Sequence, residues 1–143
     1  QEGTALHYAP IEYPATADFE ITAALRNAAK EIGVKSHVGV VQCKDSFYGQ
    51  HHPARMPVAY ELEQKWEAWK KLGVLASEME SAAIYTAAAA LSCKAGCVLH
   101  VVWNQERAAA GLGHSEVHDT SLAVKCAALA VKALCRRLDR TDL

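Results

Sequence analysis

The chain has 143 residues, 51% of them hydrophobic, with 15 basic against 16 acidic side chains and a net charge of −1. That length holds one domain with a real core, and the near-neutral balance argues against a nucleic-acid or anionic-membrane binder, which would carry a basic face. No apolar run approaches the ~20 residues of a membrane span, and no charged start with an apolar core marks a signal peptide, so a cytoplasmic location is expected.

The sequence opens on Gln1-Glu2-Gly3-Thr4 without an initiator Met, inside a strand-like segment. Leu6-His7-Tyr8-Ala9 alternates weakly and stops at Pro10, which suggests a strand end. Asp18 is placed to cap a helix to about Ile32, because Ile21, Ala24, Leu25, Ala28 and Ile32 follow helical spacing and Gly33 stops it. His37 to Val41 is a short β-branched run that predicts a buried strand. Lys44 to Pro57, rich in Gly, His and Pro, predicts a loop. Tyr60 to Leu72 predicts a helix with Leu62, Trp66 and Trp69 on one side.

Val74 to Ser77 predicts a strand, and Met79 to Leu91 a helix whose many alanines suit close packing on a sheet. Gly96 to Trp103 is an apolar run of strand length, and Arg107 to Val117 a Gly-containing loop. Leu122 to Leu138 is the last helix, with Leu122, Cys126, Leu129, Ala133 and Leu134 on one stripe. Strands alternating with helices imply an α/β layered sheet. No internal repeat or linker divides the chain, so residues 1–143 are expected to form a single α/β domain or part of one.

The five cysteines at 43, 93, 97, 126 and 135 are odd in number and contain no CxxC pair. They suit reduced thiols packed as small hydrophobes. His51-His52 beside Cys43 is the one grouping a metal could use, and it lacks further ligands at a standard spacing, so no metal is expected.

The chemistry-bearing stretch is Ser77-Glu78-Met79-Glu80-Ser81, an acidic tip between a predicted strand and a predicted helix. The crevice outside the carboxyl ends of strands is where open α/β sheets bind ligands. Carboxylates accept hydrogen bonds from adjacent hydroxyls of a polyol, and a thioether packs on its ring. Acidic residues are also favoured in the first turn of any helix, since they complement its dipole. Lys44 to Arg55 likewise follows a predicted strand. Phe47 offers a flat face, Gln50 a donor and an acceptor for an O–C–N–H edge, and Arg55 a charge; a surface loop with a tucked aromatic is the plainer alternative. Asn104, at the end of the Gly96–Trp103 run, suits either a ligand contact or a cap.

The segment Val74 to Ala90 resembles the signature of the nucleoside phosphorylase-I family, and in particular its uridine phosphorylases. Leu6-His7-Tyr8-Ala9-Pro10, Glu12-Tyr13-Pro14-Ala15, Ala17-Asp18-Phe19-Glu20, Val38-Gly39-Val40, Asp45-Ser46-Phe47-Tyr48-Gly49-Gln50 and Val102-Trp103-Asn104 extend the resemblance over nearly the whole chain. Members are considerably longer, and the chain is similar to their carboxyl-terminal portion. The resemblance implies a three-layer αβα sandwich, reversible phosphorolysis of uridine to uracil and ribose 1-phosphate, phosphate as co-substrate and no cofactor. It implies a homo-oligomer acting on small molecules, neither nucleic acid nor membrane. A second chain could supply the amino-terminal half, which in the family carries the phosphate ligands.

By the same resemblance Glu78, Met79 and Glu80 match the ribose site, with Glu80 holding ribose hydroxyls, and no residue here is assigned as catalytic. Phe47 matches the aromatic beside the nucleoside and Gln50 the glutamine that reads uracil. His52 occupies the place of a family arginine, for which Arg55 is the nearest substitute. Asn104 stands where purine-specific relatives carry Asp, which implies a pyrimidine. Gln105 takes the direct position of another arginine, and Arg107 stands in for it. A nucleosidase of the same superfamily, in which water replaces phosphate, and a non-catalytic nucleoside-binding or assembly fragment are the alternatives.

Overall fold

The computed structural model describes residues 3–113 and 115–141. They form a mixed helix and strand fold divided into two compact units, one comprising Gln1–Asp18 and His37–Gly96, the other Phe19–Ser36 and Cys97–Leu143. None of the described helices is long and apolar enough to cross a membrane.

The first unit is built on two short parallel strands. β1 (Val41–Cys43) pairs with β2 (Ala76–Glu78) in the register Val41↔Ala76, Gln42↔Ser77 and Cys43↔Glu78. Backbone bonds extend the ladder at both ends, from Leu75 N–H to the Val40 carbonyl at 2.9 Å and from Lys44 N–H to the Glu78 carbonyl at 3.0 Å. Expected strand positions thus shift from 37–41 to 41–43 and from 74–77 to 76–78. A ladder exists only where the two chains lie opposite one another, whatever the local β propensity.

Between the strands lies more structure than the predicted loop. α2 (Phe47–His51) starts at Ser46, whose hydroxyl oxygen accepts from Gly49 N–H at 3.1 Å, and a 3-10 turn follows at Pro53–Arg55. Ser is a good N-cap because it satisfies one of the helix's unpaired donors. α3 (Ala59–Lys71) carries the ion pairs Glu61–Lys65 and Glu67–Lys70 on exposed turns. It ends at Gly73, whose φ of +72° is the left-handed conformation that glycine takes without a Cβ penalty.

α4 (Ser81–Ala90) follows β2 directly and buries Ser81, Ala82 and Thr86. The Thr86 hydroxyl donates to the Ala82 carbonyl at 2.9 Å, so this polar group is satisfied within the helix. The expected strand at Leu6–Ala9 is instead a 3-10 turn at Gly3–His7 followed by a tight turn. Tyr8 and Ala9 N–H both bind the Ala5 carbonyl at 3.1 Å, and the buried Ala5 packs in a turn that rests on α4. Local bonding replaces a ladder there. Gln1 and Glu2 of that expected segment lie outside the described residues.

The second unit is held by two helices, α1 (Phe19–Ile32) and α6 (Ser121–Thr141). Its buried residues are Ala24, Ala28, Ala29, Cys126 and Ala130, ringed by Leu25, Ile32, Val34, Val98, Leu129 and Leu134. Small side chains spaced four apart let the two backbones approach closely. The Cys126 thiol donates to the Leu25 carbonyl at 3.3 Å, and burial pushes that thiol's pKa up. Gly33, at φ +79°, closes α1.

The expected strand at Gly96–Trp103 is absent among the described residues. The segment meets the later loop through Val117 N–H, which donates to the Val102 carbonyl at 2.9 Å, and through His100 Nε2, 2.7 Å from the Val117 carbonyl. Strand propensity there meets no neighbouring ladder. The predicted loop after it begins with a short helix, α5 (Gln105–Ala109).

Candidate nucleoside site

β2 ends at Glu78 and α4 begins at Ser81, so Met79 and Glu80 form the corner. Such a corner exposes the first backbone N–H groups of a helix, which lack intrahelical partners. Glu78 supplies acceptors for them. One carboxylate oxygen accepts from Glu80 N–H at 2.8 Å and from Ser81 N–H at 2.7 Å, while the other accepts from the Ser81 hydroxyl at 2.6 Å. Burial pushes the Glu78 carboxyl up, but the Ser81 hydroxyl and the two amides outweigh it and leave the group below its ordinary value. Cys43, the register partner of Glu78, accepts from Ala82 N–H at 3.4 Å, and burial raises its thiol. The last pair of the ladder therefore meets three consecutive amides at the start of α4.

Glu80 differs from Glu78. It is exposed, and its carboxylate accepts at 3.3 Å from Met79 N–H. Met79 is itself 36% exposed. The two carboxylates that the resemblance places together at the ribose site thus divide: Glu78 is engaged by its own corner, and Glu80 and Met79 stand at the surface of it.

Beside this corner lies α2. Phe47 is 49% exposed, lies tilted by 37° against the His51 ring with centroids 4.2 Å apart and meets Tyr48 edge-on at 5.5 Å. Burial, then the charges of Lys44 and His52, hold the His51 imidazole below its ordinary pKa. Gln50 is joined to β2: its Oε1 accepts from the Ser77 hydroxyl at 2.5 Å, and Ser77 Oγ accepts from the Lys44 ammonium at 2.7 Å. Gln50 is in this way tied to the strand that ends in Glu78, with Phe47 on the same short helix. Arg55 is exposed at the end of the 3-10 turn.

Lys44 and Ser77 lie in the two candidate segments, but sequence reasoning assigned neither of them a role. Lys44 is only 6% exposed, unusual for an ammonium. The available signal was a polar residue near the carboxyl end of each of two predicted strands, since parallel pairing brings such ends side by side.

Asn104 and Arg107 belong to the second unit. Asn104 caps α5, its Oδ1 accepting from Arg107 N–H at 2.9 Å. The Arg107 guanidinium donates through Nε and Nη2 to the Gly113 carbonyl at 3.0 and 2.9 Å, closing its own loop. Among the described residues no group of three or more His, Cys, Asp or Glu could hold a metal ion, and all five cysteines are free.

Comparison with known proteins gives the same direction. The phosphorylase superfamily matches over residues 1–140. The uridine phosphorylase of Treponema pallidum is 53% identical over 133 residues, covering 93% of this chain and 52% of that protein. The uridine phosphorylase of Escherichia coli is 38% identical over 133 residues, covering 88% of this chain and 53% of that protein. A DeoD-type purine nucleoside phosphorylase of Geobacillus kaustophilus is 36% identical over 102 residues, covering 68% of this chain and 38% of that protein. The chain spans about half the length of the uridine phosphorylases it matches. Because the match runs through both parallel strands, the corner after β2 and the aromatic helix after β1, the chain belongs to the phosphorylase superfamily.

Proposed function

We propose that this chain carries the nucleoside-binding half of a uridine phosphorylase, built on the carboxyl-terminal part of a three-layer αβα sandwich. The observation that carries the reading is the joining of Gln50 to Ser77, directly before the Glu78–Glu80 corner, in a chain 53% identical to a uridine phosphorylase. A base reader and a hydroxyl-binding carboxylate then serve one ligand. Phosphate is the co-substrate, and residues outside these 143 bind it.

In this reading Phe47 packs near the nucleoside and the Gln50 amide meets the uracil edge. Glu80 accepts from ribose hydroxyls, with Met79 against the sugar, while Glu78 holds the corner in shape. Phosphate attacks C1′ as the bond to the base loosens. Positive charge builds on the sugar, and a preorganised carboxylate nearby stabilises it. Uracil leaves with its negative charge met by hydrogen bonds. Asn104 cannot protonate a purine leaving group at neutral pH, which favours a pyrimidine. Arg55 and Arg107 are assigned no step.

The test is a set of specificity constants for uridine, cytidine and inosine on one preparation of the complete protein, with and without phosphate. Uridine is expected to be cleaved far faster than either other nucleoside, and only with phosphate. Inosine cleavage equal to or faster than uridine cleavage would transfer the chain to the purine branch. Uracil release at full rate without phosphate would make it a nucleosidase.

A further inference from the structure

Glutamine is an ambiguous reader, because turning its amide by half a turn exchanges donor and acceptor. A site that distinguishes uracil from cytosine with one glutamine needs something to hold that amide in one sense. The ladder places the means beside Gln50. Ser77 is in register with Gln42, and Lys44, two residues further, projects from the same strand face. The Lys44 ammonium reaches Ser77 Oγ at 2.7 Å, and the Ser77 hydroxyl reaches Gln50 Oε1 at 2.5 Å.

The hydrogen-bond chain runs from the ammonium through the Ser77 hydroxyl to the Gln50 amide oxygen. An ammonium can only donate, so Ser77 Oγ accepts from Lys44. The single Ser77 hydrogen is then available to Gln50, and the oxygen of that amide is the atom that accepts it. A cation at the head polarises the hydroxyl and strengthens the second bond. Lys44 is 6% exposed, so its field is little screened by water. Turning the amide would replace that oxygen by an NH2 and leave the polarised Ser77 hydrogen without this acceptor.

We propose that Ser77, backed by the buried Lys44, is a specificity-determining positioning residue that fixes the Gln50 amide with its oxygen toward β2, and so sets the preference for uracil over cytosine. Uracil presents an N3–H donor, which the second lone pair of a fixed Oε1 accepts. Cytosine presents an unprotonated N3, whose lone pair opposes that same oxygen. With the Ser77 bond lost, the oxygen-inward sense is favoured less, and an NH2 turned to the cytosine N3 relieves the conflict. A site made of held polar groups rejects a mismatched edge because its own groups are left unpaired.

The inference rests on the reading of Gln50 as the base contact, and its test separates the two. The specificity constants for uridine and cytidine are measured on the complete protein and on Ser77→Ala, Ser77→Thr and the double variant Lys44→Met/Ser77→Ala. Thermal unfolding verifies that each is folded. Ser77→Ala should lower uridine turnover by roughly 2- to 10-fold, the range for a lost hydrogen bond, and lower cytidine turnover less or not at all. The uridine-to-cytidine ratio then narrows. Ser77→Thr, which keeps the hydroxyl, should restore it. Should the buried ammonium left by Ser77→Ala unfold the protein, the double variant removes donor and acceptor together and should show the narrowed ratio. An equal proportional loss on both nucleosides, in Ser77→Ala or in the double variant, overturns the positioning role and leaves the uridine phosphorylase reading standing. A wild-type protein with no preference for uridine overturns that reading, and this inference with it.

Discussion

Glu80→Gln is the sharpest perturbation of the proposed site, because the two corner carboxylates are predicted to fail in different ways. Glu80 is exposed and its carboxylate contact within the corner is 3.3 Å long, from Met79 N–H. Removing its charge should change folding stability by no more than about 0.5 kcal/mol, as for an ordinary surface substitution. If it accepts ribose hydroxyls, the same change removes a charged hydrogen bond, worth about 1.5–3 kcal/mol. That corresponds to a loss of roughly 10- to 150-fold in kcat/KM at 25 °C. The assay is uracil release from uridine at saturating phosphate by the complete protein, with urea unfolding run on the same samples. The loss should be at least threefold smaller on 2′-deoxyuridine if the 2′-hydroxyl is the partner. Turnover of uridine within twofold of wild type by a folded Glu80→Gln protein would refute the assignment. So would a loss matched by an equal fall in the folded fraction.

Glu78→Ala should behave oppositely, destabilising the fold by about 2–3 kcal/mol at pH 7, because three donors lose their shared acceptor. The folded-state pKa of Glu78 is depressed, so its stabilisation is present above the ordinary carboxylate range and is lost as pH falls through the folded value. The stability gap between wild type and Glu78→Ala, read by urea titrations, should therefore narrow progressively as pH falls below the ordinary carboxylate value of about 4.3; a gap that stays constant as the pH falls would contradict the capping role. Ala28→Leu should cost about 1–3 kcal/mol or more by overfilling the contact between α1 and α6, where Ala28 is 5% exposed against Cys126 and Ala130. Denaturation midpoints compared with an exposed control, Lys132→Ala, would check it.

The three longer helices between residues 19 and 90 were legible in the sequence to within about two residues, as was most of the last one. Each carries its own instructions, with apolar positions recurring every three or four residues and a glycine such as Gly33 or Gly73 at its end. The location of the acidic corner was legible for the same reason, since a strand-like run followed by an alanine-rich helix fixes where the chain turns. α2 was hidden by its glycine and the proline after it, although Ser46 marks its start.

Strands were legible only as propensities. Leu6–Ala9 and Gly96–Trp103 have the composition of strands and no ladder, because a strand exists through a partner that local pattern cannot supply. Roles within the site followed the same division. Sequence showed two glutamates flanking a methionine. Distances of 2.6 to 2.8 Å turned one into a cap for its own helix and left the other exposed. Lys44, Ser77 and Gln50 are separated by 33 and 27 residues in the chain and meet only because β1 and β2 pair in one parallel register. What the sequence determined by itself was local, namely helix faces, caps and the chemical kinds of side chain at the corner. Which of those side chains are engaged by the protein and which are left for a ligand was decided by the tertiary structure, because hydrogen bonds act over about 3 Å and take no account of distance along the chain.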